Sequence, residues 1–212
     1  MKYEGIIFDL DGVICFTDEY HYLAWKEMAN SINTYFDREI NNRLRGVSRM
    51  ASLEIILERY EGPALSQKDK EQLAAQKNEI YRNLLNKMSP ADLSDEVKDT
   101  LNKLRARGLV LAIGSSSKNT PMILKRIGLG AYFDAVADGN CITHSKPDPE
   151  VFLKASEFIG LPPSACLVVE DAVAGAEAGH RGGFTVACVG DASQAGAGDY
   201  NLSSVSDLLN IL

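Results

Sequence analysis

The chain has 212 residues, of which 45% are apolar and 24% charged, and its 29 acidic side chains outnumber 22 Lys and Arg for a net charge of −7. This is the balance of an ordinary globular protein, and it excludes a disordered, collagen-like or low-complexity chain. The acidic surplus argues against nucleic-acid and anionic-membrane partners, and against an anionic substrate unless local groups or a bound cation reverse the field.

At roughly 150 residues per domain, the length suits one domain with an insertion or two small ones. No run approaches the ~18 apolar residues of a membrane span. Asp9 and Asp11 interrupt the apolar N-terminal run, which argues against a signal peptide. Cys15, Cys141, Cys166 and Cys188 form no CxxC pair, so free thiols in a reducing cytosol are expected.

In chain order, residues 3–8 read as a short buried strand ending at Asp9. Residues 18–87 change texture. Apolar side chains recur at helical spacing (Tyr22, Trp25, Ala29; Leu53, Ile56, Leu57, Tyr60; Leu73, Ile80, Leu84), which predicts three to five helices in a bundle of their own. From Ser89-Pro90 a regular alternation begins. Helices are predicted over 95–107, from Thr120-Pro121 to Gly128, over 149–159 and over 173–180; strands over 109–113, 135–137, 166–169 and 184–189. Ala195 to Gly198 is the most loop-like stretch.

Strands apolar throughout that alternate with helices imply a parallel sheet covered on both faces. The expected architecture is α/β: a Rossmann-like parallel sheet core formed by residues 1–15 and 89–212, with an α-helical domain, residues 16–88, inserted after the first strand. In such cores ligands bind beyond the carboxyl ends of the strands. Those ends carry Asp9-Leu10-Asp11-Gly12-Val13, then Gly114-Ser115-Ser116-Ser117-Lys118-Asn119, then Ser145-Lys146-Pro147, then Glu170-Asp171. Two aspartates two apart suit a nucleophile beside a general acid/base. A hydroxyl-rich loop entering a helix suits an anion, a lysine suits phosphate, and clustered carboxylates suit Mg²⁺. Each segment alone is also a turn, a set of caps or a solvated lysine; together they describe a phosphoryl-transfer site.

Those four segments, in that order, resemble the signature motifs of the haloacid dehalogenase-like superfamily over essentially the whole chain. Glu19-Tyr20-His21, Trp25, Leu44-Arg45-Gly46-Val47-Ser48-Arg49, Ser89-Pro90-Ala91-Asp92 and Ser115 to Asn119 resemble its β-phosphoglucomutase branch. The resemblance implies Asp9 as nucleophile, Asp11 as general acid/base, and Mg²⁺ held by Asp9, the Asp11 carbonyl, Asp171 and Glu170. It implies Ser115 and Lys146 on the transferred phosphate. A distal phosphate would be held by Arg49, Gly46, Val47, Ser117, Lys118 and Asn119. His21, Trp25 and Lys77 are further candidates in the cap, with bundle packing the plain alternative for Trp25.

The implied reaction interconverts β-D-glucose 1-phosphate and D-glucose 6-phosphate through an aspartyl phosphate, with β-glucose 1,6-bisphosphate as activator and intermediate. A cytoplasmic monomer acting on a small sugar phosphate is expected, and crossings near Thr17 and Met88-Ser89 would serve as hinges. Phe16 stands where a polar residue is expected. Three alternatives are open: a sugar-phosphate phosphatase using the same Asp9, a mutase of another hexose phosphate, and an aspartate-phosphorylated signalling module.

Overall fold

The computed structural model describes residues 2–44 and 47–212. Among these residues the chain forms two compact units, Met1–Phe16 with Ser89–Leu212, and Thr17–Met88. Phe16 therefore belongs with the sheet unit, one residue later than the boundary read from the sequence.

Strand β1 (Gly5–Phe8) leads into the helical unit, which holds α1 (Asp18–Ser31), α2 (Arg38–Asn42), α3 (Arg49–Leu57) and α4 (Gln67–Leu85). Its core is an apolar cluster that includes Trp25 and Met28 of α1, Leu53 and Ile56 of α3, and Phe36 from the segment before α2. Helix α4 starts with a capping box: Ser66 Oγ accepts from the Asp69 backbone N–H, and the Asp69 carboxylate accepts from the Ser66 N–H.

The sheet unit resumes with a short 3₁₀ turn, Pro90–Asp92, capped by Ser89. It continues with α5 (Asp95–Ala106), β2 (Val110–Gly114), α6 (Thr120–Arg126), β3 (Ala135–Ala137), α7 (Glu150–Ile159), β4 (Cys166–Glu170), α8 (Val173–Arg181), β5 (Thr185–Cys188), α9 (Gly190–Gln194), β6 (Tyr200–Asn201) and α10 (Leu208–Ile211). The sequence reading missed α9, β6 and α10, which are short and carry little periodic signal. Helix α5 shows the local logic. Ser94 caps it, Asp95 and Glu96 fill the first turn, Lys103 and Arg105 lie in the last, and Val97, Leu101 and Leu104 are buried.

The six strands are all parallel in the order β3-β2-β1-β4-β5-β6. Successive strands build outward on one side from β1 to β3, then return to the other side of β1 with β4. The order reverses between β1 and β4, and a crevice at the carboxyl ends follows from that topology. Burial of Ile6, Ile7 and Phe8, all at 0% exposure, contributes about 1.5–3 kcal/mol per side chain and fixes the floor beneath this crevice.

Candidate active site

In the ladder Phe8 pairs with Ile113 on one side and Val169 on the other. Asp9, Gly114 and Glu170 therefore stand level, one step beyond the floor. The Asp9 N–H donates to the Val169 carbonyl at 2.9 Å, so the nucleophile candidate is held by the sheet itself.

The turn after Asp9 folds back tightly. The Gly12 N–H donates to the Cys15 carbonyl at 2.7 Å, and the N–H groups of Ile14 and Cys15 both donate to the Leu10 carbonyl. Gly12 has φ +91°, and a Cβ there would lie 2.1 Å from Asp171 Oδ2. Glycine thus allows both the left-handed backbone and the approach of the Asp171 carboxylate.

Lys146 joins the strand ends. Its ammonium donates to Asp9 Oδ1 and Glu170 Oε1, both at 2.5 Å, and lies 4.5 Å from the Phe152 ring centroid. All three ionic side chains are buried. Glu170 Oε2 accepts the backbone N–H groups of Asp171 and Ala172 at 2.8 Å each, so Glu170 anchors both the lysine and the turn into α8. A Cβ at Gly175 would sit 1.8 Å from Glu170 Oε1, so α8 carries glycine where it meets this carboxylate. The loop around Lys146 is braced as well: Glu150 accepts from the Thr143 and His144 N–H groups, and Arg181 donates to the Pro147 carbonyl at 2.9 Å.

Burial pushes the Asp9 carboxyl well above the ordinary carboxylate range; Lys146 opposes the rise, and Glu170, Asp11 and Asp171 add to it. Burial also disfavours the Lys146 ammonium, but Asp9 and Glu170 outweigh it and keep Lys146 charged. Asp9, Glu170 and Asp171 each offer an oxygen within 4.8 Å of the others. An all-oxygen, anionic and crowded donor set fits a hard divalent cation, whose charge would offset the burial and the neighbouring carboxylates that raise Asp9. Cys15 is buried and its thiol is pushed upward, chiefly by burial, so it is not an activated nucleophile.

Ser115 follows β2 and is buried. Its Oγ accepts from the Ser117 N–H at 3.1 Å, which leaves the hydroxyl hydrogen to donate elsewhere, and Ser117 Oγ accepts from the Asn119 N–H at 3.2 Å. Asn119 is buried at the start of α6, and Lys118 is exposed.

The remaining candidates lie in the helical unit. Lys77 on α4 is buried with its ammonium 4.7 Å from the Trp25 ring centroid and 4.6 Å from that of Tyr81, and it donates to His21 Nδ1 at 2.9 Å. That bond requires Nδ1 without a proton. Burial, then Lys77 and Arg49, push His21 well below its ordinary value. Arg49 opens α3 and is half-buried. Val47 is exposed at its margin, and Gly46 lies outside the described residues. Trp25 is both a core residue of this unit and the platform for Lys77. Tyr81 was not foreseen; its signal was its place four residues after Lys77 on one helix face.

The sequence profile of the haloacid dehalogenase-like hydrolases matches residues 3–183. The chain belongs to that family. It is 38% identical over 208 residues to the β-phosphoglucomutase of Bacillus subtilis, which covers 97% of this chain and 91% of that protein. It is 32% identical over 184 residues to the fructose-1-phosphate phosphatase YqaB of Escherichia coli, covering 86% and 94%. Among solved structures, the β-phosphoglucomutase of Clostridium difficile superimposes with a TM-score of 0.89 at 31% identity, over 97% of this chain and 93% of that one. This haloacid dehalogenase-like chain therefore resembles both mutases and phosphatases over nearly its full length. The four cysteines are free thiols, and no helix among the described residues is long and apolar enough to cross a membrane.

Proposed function

We propose that the chain is a β-phosphoglucomutase, interconverting β-D-glucose 1-phosphate and D-glucose 6-phosphate. The observation that carries this over simple hydrolysis is Arg49, half-buried at the start of α3, a cation of the helical unit additional to the Lys146 of the sheet unit. A mutase handles a bisphosphate and needs phosphate recognition beyond the reacting group; a phosphatase does not.

An Asp9 oxygen attacks the phosphorus of the bisphosphate, the bond from phosphorus to the sugar oxygen breaks, and the phosphoryl group rests on Asp9. Asp11 gives its proton to the departing sugar oxygen. When the sugar presents its other hydroxyl, Asp11 takes that proton and the phosphoryl group passes to the sugar. Lys146 and the Ser115 hydroxyl hold the phosphoryl oxygens, because phosphoryl transfer depends on positioning and charge neutralisation. On this reading Ser117, Lys118 and Asn119 of the sheet unit are offered to a distal phosphate, and Arg49 and Val47 are the candidates of the helical unit. Mg²⁺, held by Asp9, the Asp11 carbonyl, Glu170 and Asp171, supplies when bound the positive charge that offsets repulsion between carboxylate and phosphate.

The same reading makes the protein a cytoplasmic monomer with a small sugar phosphate as its partner and with no nucleic-acid or membrane partner, and makes β-glucose 1,6-bisphosphate its activator. Its net charge of −7 supports the exclusion of polyanions. The second reading is a sugar-phosphate phosphatase, favoured by the similarity to the Escherichia coli fructose-1-phosphate phosphatase.

The test is a coupled assay with Mg²⁺, β-glucose 1-phosphate and a trace of β-glucose 1,6-bisphosphate, following glucose 6-phosphate and free phosphate together. Glucose 6-phosphate with little free phosphate supports the mutase; stoichiometric free phosphate supports the phosphatase.

A further inference from the structure

We propose that Gly139 and Asn140, in the loop after β3, are positioning residues for the Ser115–Asn119 loop. This rests on the mutase reading, because it is that reading which gives Lys118 a phosphate to bind.

The Ser115–Asn119 loop is held partly by itself and partly by its neighbour. The Ser115 N–H donates to the Ala137 carbonyl at 3.0 Å, and the Gly139 N–H donates to the Ser117 carbonyl at 3.2 Å. The Asn140 side-chain amide donates to the Lys118 carbonyl at 3.1 Å. Two carbonyls of the loop are thus fastened from outside it, which turns the Ser117 and Lys118 peptides and sets where Lys118 begins its reach.

Asn140 is itself oriented. Its backbone N–H donates to Asp138 Oδ1 at 2.8 Å, and its amide Nδ2 donates to Asp138 Oδ2 at 3.0 Å. Asp138 is buried, so the brace has a fixed foundation. Gly139 makes the approach possible: a Cβ there would lie 2.3 Å from the Ser116 carbonyl oxygen and 2.9 Å from both the Lys118 backbone nitrogen and Cγ. Two of these are backbone atoms, so any side chain at 139 must displace the loop that carries Lys118. Neither residue needs to touch substrate; both act through the loop.

The experiment compares the wild type with Asn140→Asp, Gly139→Ala, Lys118→Ala and the double variant Asn140→Asp/Lys118→Ala. Turnover of β-glucose 1-phosphate, hydrolysis of p-nitrophenyl phosphate and thermal midpoint are measured for each. Asn140→Asp replaces the donor by an acceptor facing the Lys118 carbonyl and the Asp138 carboxylate. It is expected to lower kcat/KM for the sugar phosphate about tenfold, mainly through KM. Aryl phosphate hydrolysis should stay near wild type, while the thermal midpoint falls modestly because the new carboxylate faces that of Asp138. Gly139→Ala is expected to lose more; if it does not fold, Asn140→Asp carries the test.

In the Lys118→Ala background the Asn140→Asp change should cost less than about twofold further, since both act on one element. An unchanged KM in Asn140→Asp, or a full independent loss in the double variant, overturns the proposal. Undiminished sugar-phosphate turnover in Lys118→Ala alone instead overturns the assignment of Lys118 and the inference with it, a result distinct from the first two.

Discussion

The Lys146 ammonium lies 2.5 Å from Glu170 Oε1, although 24 residues and two elements separate them, and from there it also reaches Asp9 Oδ1 at 2.5 Å. Glu170 thereby fixes the lysine, and the lysine neutralises the oxygen set of the candidate nucleophile. Lys146→Ala removes the cation and leaves two buried carboxylates facing each other. It is expected to lower phosphoryl transfer by about 10²–10³-fold and to destabilise the fold by about 3–5 kcal/mol. Steady-state kinetics and denaturant unfolding check both; near-normal turnover would remove Lys146 from the site.

Asp11→Ala leaves the nucleophile in place and removes the proton donor and acceptor. Turnover of the sugar phosphate should fall about 10²–10⁴-fold. Phosphorylation of Asp9 by acetyl phosphate, whose leaving group needs little protonation, should persist. Equal loss of both steps would assign Asp11 a structural role instead.

Gly175→Ala tests how closely α8 must approach the anchor. The new Cβ would lie 1.8 Å from Glu170 Oε1, so the carboxylate must move and take Lys146 with it. A destabilisation of about 1–3 kcal/mol with loss of activity is expected from unfolding and rate measurements. A fully active variant of unchanged stability would show that the anchor is dispensable.

His21 gives the helical unit a defined pH response. Its folded pKa is depressed, chiefly by burial, so the stability it contributes is fully present above its unfolded value near 6.5 and is lost as pH falls toward the depressed value. Below about pH 6.5 the slope approaches ~1.4 kcal/mol per pH unit for one proton. His21→Gln keeps an acceptor for Lys77 and removes the titration, so its thermal midpoint should depend less on pH between about 5 and 7. An identical slope in the variant would assign the response to other groups.

Much of this site was legible in the sequence because it lies where buried strands end. Asp9, Ser115 and Glu170 each terminate or follow an apolar run, and a polar residue at that place marks the carboxyl edge of a parallel sheet. Other features were not legible. Strand β6 has two residues, Tyr200–Asn201, too few for a pattern. Glu170 read as a cation ligand, whereas its hold on Lys146 depends on a loop 24 residues away in sequence. Gly139 and Asn140 belong to a turn whose composition says only that it is a turn; their partners become visible once β2 and β3 are adjacent. Lys77 read only as a candidate in the helical bundle facing the cleft, because a lysine on a polar helix carries no sequence signal of what surrounds it. Two aromatic faces and an unprotonated His21 nitrogen bury it.

The proposed role of Asp9 is to accept a phosphoryl group and return it to sugar. The most direct measurement treats the Mg²⁺-loaded protein with β-glucose 1,6-bisphosphate, maps the phosphorylated residue by mass spectrometry, and follows the label after addition of unlabelled β-glucose 1-phosphate. Label is expected on Asp9 and then in sugar bisphosphate and glucose 6-phosphate. Label that appears only as inorganic phosphate, or on a residue other than Asp9, would contradict that role.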